Sequence, residues 1–234
     1  MRTWARTGSG DVGAKDALVV YADGDVASVL ASRPTLDRAS TDALVRRLFA
    51  GREVTAADDL ALAEVGIPDR DKVYAAVWPG VSMVCTPQVA LDRPSELGAR
   101  FLTEYPGRSV YVHAMHSVVD WFALGVWGSG GELQRALSIS GESGAVVEDL
   151  GERLAIEEPF WAGEHPATDD DDDDYPFPFH PLELSEACLR HLFGFVLEGY
   201  DGMPDGGPVD PFDVTLAGYS LSTTSSLRRL FGRR

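Results

Sequence analysis

Short apolar runs separated by turn residues recur along this chain, and they indicate strands more often than helices. Residues 15–21 form the first run, and the Asp23-Gly24-Asp25 sequence that follows predicts a buried strand ending in a tight turn. Two further runs, at residues 73–78 and 81–86, flank Pro79-Gly80 and predict a β-hairpin, because Pro and Gly together favour turn conformations.

The middle of the chain contains a longer predicted hairpin. Residues 118–127 and 132–139 face each other across the Gly-Ser-Gly-Gly turn at residues 128–131. A strand is expected just before it, at residues 109–114, where β-branched and aromatic residues are frequent. Shorter strands are predicted at residues 145–148, 153–156 and 214–216.

Helical periodicity is clearest at three places. Asp37 is a predicted N-cap for a helix over residues 38–49. Pro94 opens a second predicted helix, over residues 95–105. The broadest apolar stripe runs through residues 182–199 and predicts the longest helix of the chain.

Helices and strands are mixed here without the regular alternation that builds a parallel sheet. The pattern predicts an α+β fold, with a largely antiparallel mixed sheet and about three flanking helices. We expect a loose N-terminal extension at residues 1–12 and a single globular domain at residues 13–199. Residues 200–234 are expected to be a Gly/Pro-rich segment with a basic, partly ordered tail.

The net charge of the chain is −17, and Lys15 and Lys72 are its only lysines. Because phosphate groups are bound through clustered Lys and Arg side chains, we expect neither a nucleic acid nor a membrane as a partner. Six consecutive aspartates at residues 169–174 predict a solvated loop. Four arginines between residues 228 and 234 predict a solvated tail.

Two observations bear on the compartment. No stretch is long and apolar enough to span a membrane, and the first residues lack the apolar core of a signal peptide. Cys85 and Cys188 lie in apolar surroundings and are expected to be reduced core residues, with a single disulfide as the alternative. We therefore expect a cytoplasmic protein.

One segment concentrates groups that can build a site: His113, His116, Ser117, Asp120 and Trp121 lie within nine residues. On a helix, both histidines and Asp120 would share one face and could bind a metal ion. The local pattern favours strands instead, in which the two histidines face opposite sides and need a turn to meet. Hydrogen-bonded structural histidines and a small-molecule pocket are the other interpretations.

Two carboxylates and a loop dipeptide complete the candidate set. Asp23 and Asp25 resemble the first motif of haloacid-dehalogenase-type phosphatases, in which one carboxylate attacks phosphorus and the other handles a proton. No lysine follows Thr86, where that family's pattern expects a basic residue, so a turn capped by its own carboxylates is the competing interpretation. Glu164 and His165, in an irregular segment, are candidates to complete a site around the mid-chain histidines.

Several segments resemble a family of actinobacterial proteins of unknown function. The most specific are HAMHSVVDWF, at residues 113–122, and FHPLELSEA, at residues 179–187. The similarity covers roughly residues 13–199. Because no activity is attached to that family, the resemblance implies no catalytic residue, cofactor or partner.

The chain contains neither a phosphate-binding loop nor a Gly-x-Ser-x-Gly nucleophile motif. Their absence favours a binding or interaction module, regulatory or protective, with a protein or small molecule as partner and no cofactor. The alternative is a metal- or carboxylate-assisted hydrolase that uses His113, His116 and Asp120 together with Asp23 and Asp25.

Overall fold

A nine-stranded antiparallel sheet organises the part of the protein that the computed structural model describes, residues 14–167, 175–200, 202–203 and 206–223. The strand order is β2-β9-β3-β4-β1-β5-β6-β7-β8. The strands are β1 (Lys15–Ala22), β2 (Arg52–Ala61), β3 (Lys72–Trp78), β4 (Val81–Cys85), β5 (Ser109–His116), β6 (Trp121–Trp127), β7 (Leu133–Ser140), β8 (Ala145–Gly151) and β9 (Thr215–Thr223).

Helices cover both faces of this sheet. They are α1 (Val26–Ala31), α2 (Arg38–Leu48), α3 (Leu62–Val65), α4 (Ala99–Leu102), α5 (Glu158–Trp161) and α6 (Pro181–Phe193). Side chains of α2 and α4 pack on one face, and side chains of α1 and α6 pack on the other. Within the described residues, no helix has the length and apolar character needed to cross a membrane.

The predicted α+β class with an antiparallel sheet is confirmed, and both predicted hairpins are present as β3–β4 and β6–β7. Alternate residues of β1 enter opposite cores: Val19 joins the core under α2, and Val20 joins the core under α6. A strand buried on both faces shows a continuous apolar run rather than alternation, as residues 15–21 do.

Two predicted helices differ from the structure. The predicted helix over residues 95–105 is only a 3-10 turn, Pro94–Glu96, followed by the single turn of α4, because the amide and hydroxyl of Ser95 donate to the buried carboxylate of Glu148. Helix α6 ends at Phe193 rather than at residue 199. Gly194 adopts a left-handed φ of 82°, and a Cβ there would lie 2.6 Å from the Cβ of Ala27.

The hydrophobic pattern also misses strands at one edge. β2 buries only Val54 among its ten residues, so it carries no apolar signal. β9 continues well beyond the predicted residues 214–216 and lies between β2 and β3, so the predicted domain end at residue 199 excludes a strand of this sheet. Residues 153–156, predicted as a strand, are not one. The predicted N-terminal extension, the aspartate run and the basic tail lie outside the described residues.

A buried ion pair fastens the β7–β8 edge to α5. Arg135 of β7 is fully buried and donates from Nε and Nη2 to the two oxygens of Glu157, at 2.8 and 2.7 Å. Its Nη1 atom donates to Asp149 and to the carbonyl of Leu150. The guanidinium therefore has partners on every nitrogen, which burial of its charge requires.

Candidate functional site

His113 is the centre of a buried polar chain that links the sheet to α6. Its Nδ1 atom lies 2.8 Å from Oδ2 of Asp16, on the neighbouring strand β1. Its Nε2 atom lies 3.1 Å from both the hydroxyl and the carbonyl oxygen of Ser185 in α6. Ser185 Oγ also donates to Sδ of Met115. All the polar groups of His113 thus have partners inside the core.

The Asp16, His113 and Ser185 contacts follow the order of a Ser-His-Asp catalytic triad, yet their setting differs from that of a nucleophile. Ser185 lies inside α6 with no exposed surface, whereas a hydrolase serine stands exposed at a sharp turn. The chain of contacts therefore fixes α6 against β1 and β5. This is the structural-histidine interpretation of the motif.

His116 and its neighbours lie on the other face of the sheet. β5 places Met115 in the core under α6 and Ala114 in the core under α2, so His116, two residues from Ala114, faces away from His113. Within the described residues, the Nδ1 atom of His116 and the hydroxyl of Ser117 are buried without a hydrogen-bond partner.

Asp120 and Trp121 follow this turn. Asp120 has a left-handed φ of 45°, and its carboxylate lies 3.6 Å from Nε2 of His180, which precedes α6. Trp121 donates its indole hydrogen to Ser138. The turn thereby brings the two sequence motifs together, since Asp120 belongs to the first and His180 to the second.

The remaining predicted site residues lie elsewhere. β1 and β5 run antiparallel, with Lys15 opposite His116 and Ala22 opposite Ser109, so Asp23 and Asp25 are at the far end of the strands from His116. Asp23 pairs with Arg108 at 2.8 Å. Asp25 is the N-cap of α1, and its hydrogen bonds with Ser28 lower its pKa.

Glu164 is exposed, and the ring of His165 stacks on Phe160 with 4.3 Å between ring centroids. The edge of the His165 ring faces Tyr200, at 6.4 Å between centroids. The candidate site residues predicted from the sequence therefore lie at both ends and on both faces of the sheet.

A cavity of about 320 Å³ lies where the two motifs meet. We call it the acidic cavity because of the glutamates in its wall. Among the described residues, its lining includes three glutamates and no lysine or arginine. The lining residues are Ala14, Met115, Ala167, Tyr175, His180, Leu182, Glu183, Glu186, Glu198, Gly199 and Tyr200.

Glu186 is the buried carboxylate of this cavity. Its two oxygens accept hydrogen bonds from the amides of Leu197 and Glu198, both at 2.9 Å. These bonds hold the segment that follows α6, which we call the strap. Burial raises the pKa of Glu186, and the Asp16 carboxylate raises it further. The two amide hydrogens and His113 act in the opposite direction. The sequence analysis missed Glu186, although a carboxylate inside the apolar stripe of α6 was a visible signal.

Metal-ligating side chains are not grouped in the described part of the chain. No three His, Cys, Asp or Glu side chains there are close enough to hold a metal ion together. Cys85 and Cys188 are both buried free thiols, and burial raises the pKa of each. The described side chains that line the acidic cavity offer hydrogen bonds and negative charge.

Comparison with known proteins identifies a family and no activity. No curated protein and no solved structure matches the chain. One family model matches residues 16–219, which includes both motif segments and the first part of β9. The chain belongs to this family, described as a family of unknown function (DUF6928).

Proposed function

We propose that this protein is a binding module that holds a small organic cation, such as an amine, in the acidic cavity. The observation that carries the proposal is the composition of the cavity wall. Three glutamates line a cavity of about 320 Å³, a volume at the lower end of the range for small-molecule sites, and no lysine or arginine is among its described lining residues.

Three further features support the proposal of a cation site. Glu186 is nearly buried and uses one acceptor position of each oxygen for the strap amides, which leaves the second lone pair of each oxygen for a ligand. The rings of Tyr175 and Tyr200 add faces that attract cations. The net charge of −17 raises the local concentration of cations around the whole molecule.

The candidate residues from the sequence then take supporting positions. His113 and Asp16 fix the helix that carries Glu183 and Glu186, because Ser185 lies between these two glutamates. Asp120 positions His180, whose ring stacks on Tyr175 with 5.4 Å between centroids. His116 and Ser117 precede Asp120 at the turn and Trp121 follows it, and the ring of His165 contacts that of Tyr200. Asp23, Asp25 and Glu164 have no place in this proposed site.

The test measures thermal stabilisation by n-propylamine, with propanoate as a probe of the same length and opposite charge. A ligand that binds only the folded state raises the melting temperature by mass action. We expect a shift with propylamine, none with propanoate, and a reduced shift in Glu183→Gln and Glu198→Gln. Glu142→Gln, which removes the same charge from an exposed turn, is the matched control and should keep the full shift. Equal shifts with both probes would refute the proposal.

A further inference from the structure

A second and larger cavity shares a wall with the acidic cavity. It measures about 790 Å³, and both cavities are lined by the consecutive residues Glu198, Gly199 and Tyr200. It lies between the end of α1 and the segment before β9, and its wall combines polar and apolar surface in similar amounts; we call it the apolar cavity after the hydrocarbon side chains that line it. The apolar side chains of that wall include Leu30, Val196, Met203, Pro208, Val209 and Phe212.

Phe212 is an exposed apolar residue of this wall. It is 51% exposed and is one of the few large apolar residues that the described part of the chain leaves exposed. Solvated apolar surface next to a cavity of this size is typical of ligand sites rather than of a packed core. Leu30 and Val209, by contrast, are buried and form the floor.

The charges of the wall limit the kind of ligand. Arg33 is the single basic residue among the described lining residues, and it is already paired with Asp213 at 2.6 Å. Glu198 and Asp210 supply two further negative charges. An anionic head group would meet net repulsion here, whereas a cation at Glu198 would be attracted from either cavity.

We propose that the ligand is a cationic amphiphile, an alkylamine or a molecule with an equivalent head and tail. Its ammonium group lies at Glu198, at the wall that the two cavities share, and its hydrocarbon chain fills the apolar cavity. This inference rests on the proposed function, since the acidic cavity provides the site for the charge. The apolar cavity adds selection for chain length.

The experiment is isothermal titration with n-alkylamines from ethylamine to decylamine, each below its micellar concentration. Burial of each methylene is expected to raise the affinity about fourfold until the chain fills the cavity, with one ligand bound per protein. Octanoate and octanol, which carry the same chain without the positive charge, are expected to bind far more weakly than octylamine.

A variant that fills the apolar cavity tests whether the gain in affinity with chain length arises there. A Cβ at Gly206 would make only an ordinary contact, 3.6 Å from Cγ2 of Val196, and its φ is not positive, so Gly206→Phe fits without backbone strain. We expect this variant to bind ethylamine within about twofold of wild type and to lose the gain with chain length. Gly24→Phe, at an exposed turn with no atom within 4 Å, is the matched control and should behave as wild type.

The outcomes separate the two proposals. Binding of ethylamine without any gain for longer chains overturns the amphiphile inference and leaves the proposed function standing. Failure of every amine to bind overturns the proposed function itself. Octanoate or octanol binding as tightly as octylamine overturns the role given to charge. If Gly206→Phe fails to fold, the titration of the wild-type protein with the alkylamine series still tests the proposal.

Discussion

Replacement of Arg135 by Met is the sharpest test of how the β7–β8 edge is held. Arg135 and Glu157 are both fully buried and joined by two hydrogen bonds. The variant leaves the Glu157 carboxylate in the core, where the amide of Leu154 is its one remaining hydrogen-bond donor among the described residues. Loss of one partner of a buried pair costs about 3–5 kcal/mol, because the remaining charge is neither solvated nor neutralised.

The double variant Arg135→Met/Glu157→Leu distinguishes this mechanism from simple loss of packing. It removes both charges, and Asp149, whose side chain is 37% exposed, returns to water. We expect the double variant to lie within about 1–2 kcal/mol of wild type, more stable than either single variant. The coupling between the two positions is then larger than the cost of about 3–5 kcal/mol for Arg135→Met alone, because Glu157→Leu alone also costs more than the double variant.

Urea unfolding at pH 7, followed by circular dichroism, measures these free energies, provided that the slope with urea is unchanged. Arg46→Met is the matched control, because Arg46 pairs with Asp42 on the surface of α2 with both side chains about half exposed. Solvent screens such exposed pairs, so the loss of this one should change the free energy of unfolding far less than the loss of Arg135. Equal losses from Arg135→Met and Arg46→Met, or additive losses in the double variant, would refute the reasoning.

Three further predictions follow from other contacts. Ser185 should not react with a fluorophosphonate probe, because it has no exposed surface, and labelling detected by mass spectrometry would instead indicate an accessible serine nucleophile. Arg33→Gly should raise the free energy of unfolding in urea by about 0.5–1 kcal/mol, since Arg33 adopts a left-handed φ of 51°; Arg33→Ala, which keeps that strain, should give no gain. The stability contributed by Glu186, whose folded pKa is raised by burial, should be complete below its ordinary pKa and lost as pH rises through the folded pKa. The difference in unfolding free energy between wild type and Glu186→Gln should therefore shrink as pH rises, and a constant difference would contradict this.

The sequence predicted elements where local patterns coincide with the final environment. The hairpin at Pro79-Gly80 and the helix after Asp37 need only neighbouring residues to form, and both are present. β2 could not be recognised, because it is an edge strand that buries a single side chain and obtains its hydrogen bonds from β9. Its existence depends on a partner far away in the sequence.

The candidate site was predictable in part. The motif around His113 stands out in the sequence because it is polar and unusual. Its actual partners, Asp16 and Ser185, are 97 and 72 residues away, a distance at which spacing carries no information. Glu186 was missed because helical periodicity assigns the apolar stripe of α6 to the core, and a carboxylate there is visible only if each exception to the stripe is examined.

The position of β9 has a consequence for synthesis on the ribosome. The side chain of Arg52 bonds to the carbonyl of Ser222, 170 residues later, while β5 to β8 pair with sequence neighbours. The β5–β8 meander can form as soon as it emerges, but β2 and the free edge of β3 wait for the last described strand. The 72 positions from Gly151 to Thr223 take about 4–14 s at about 5–20 residues per second. During that interval an unpaired strand edge is exposed, and chaperones have their best opportunity to bind the nascent chain.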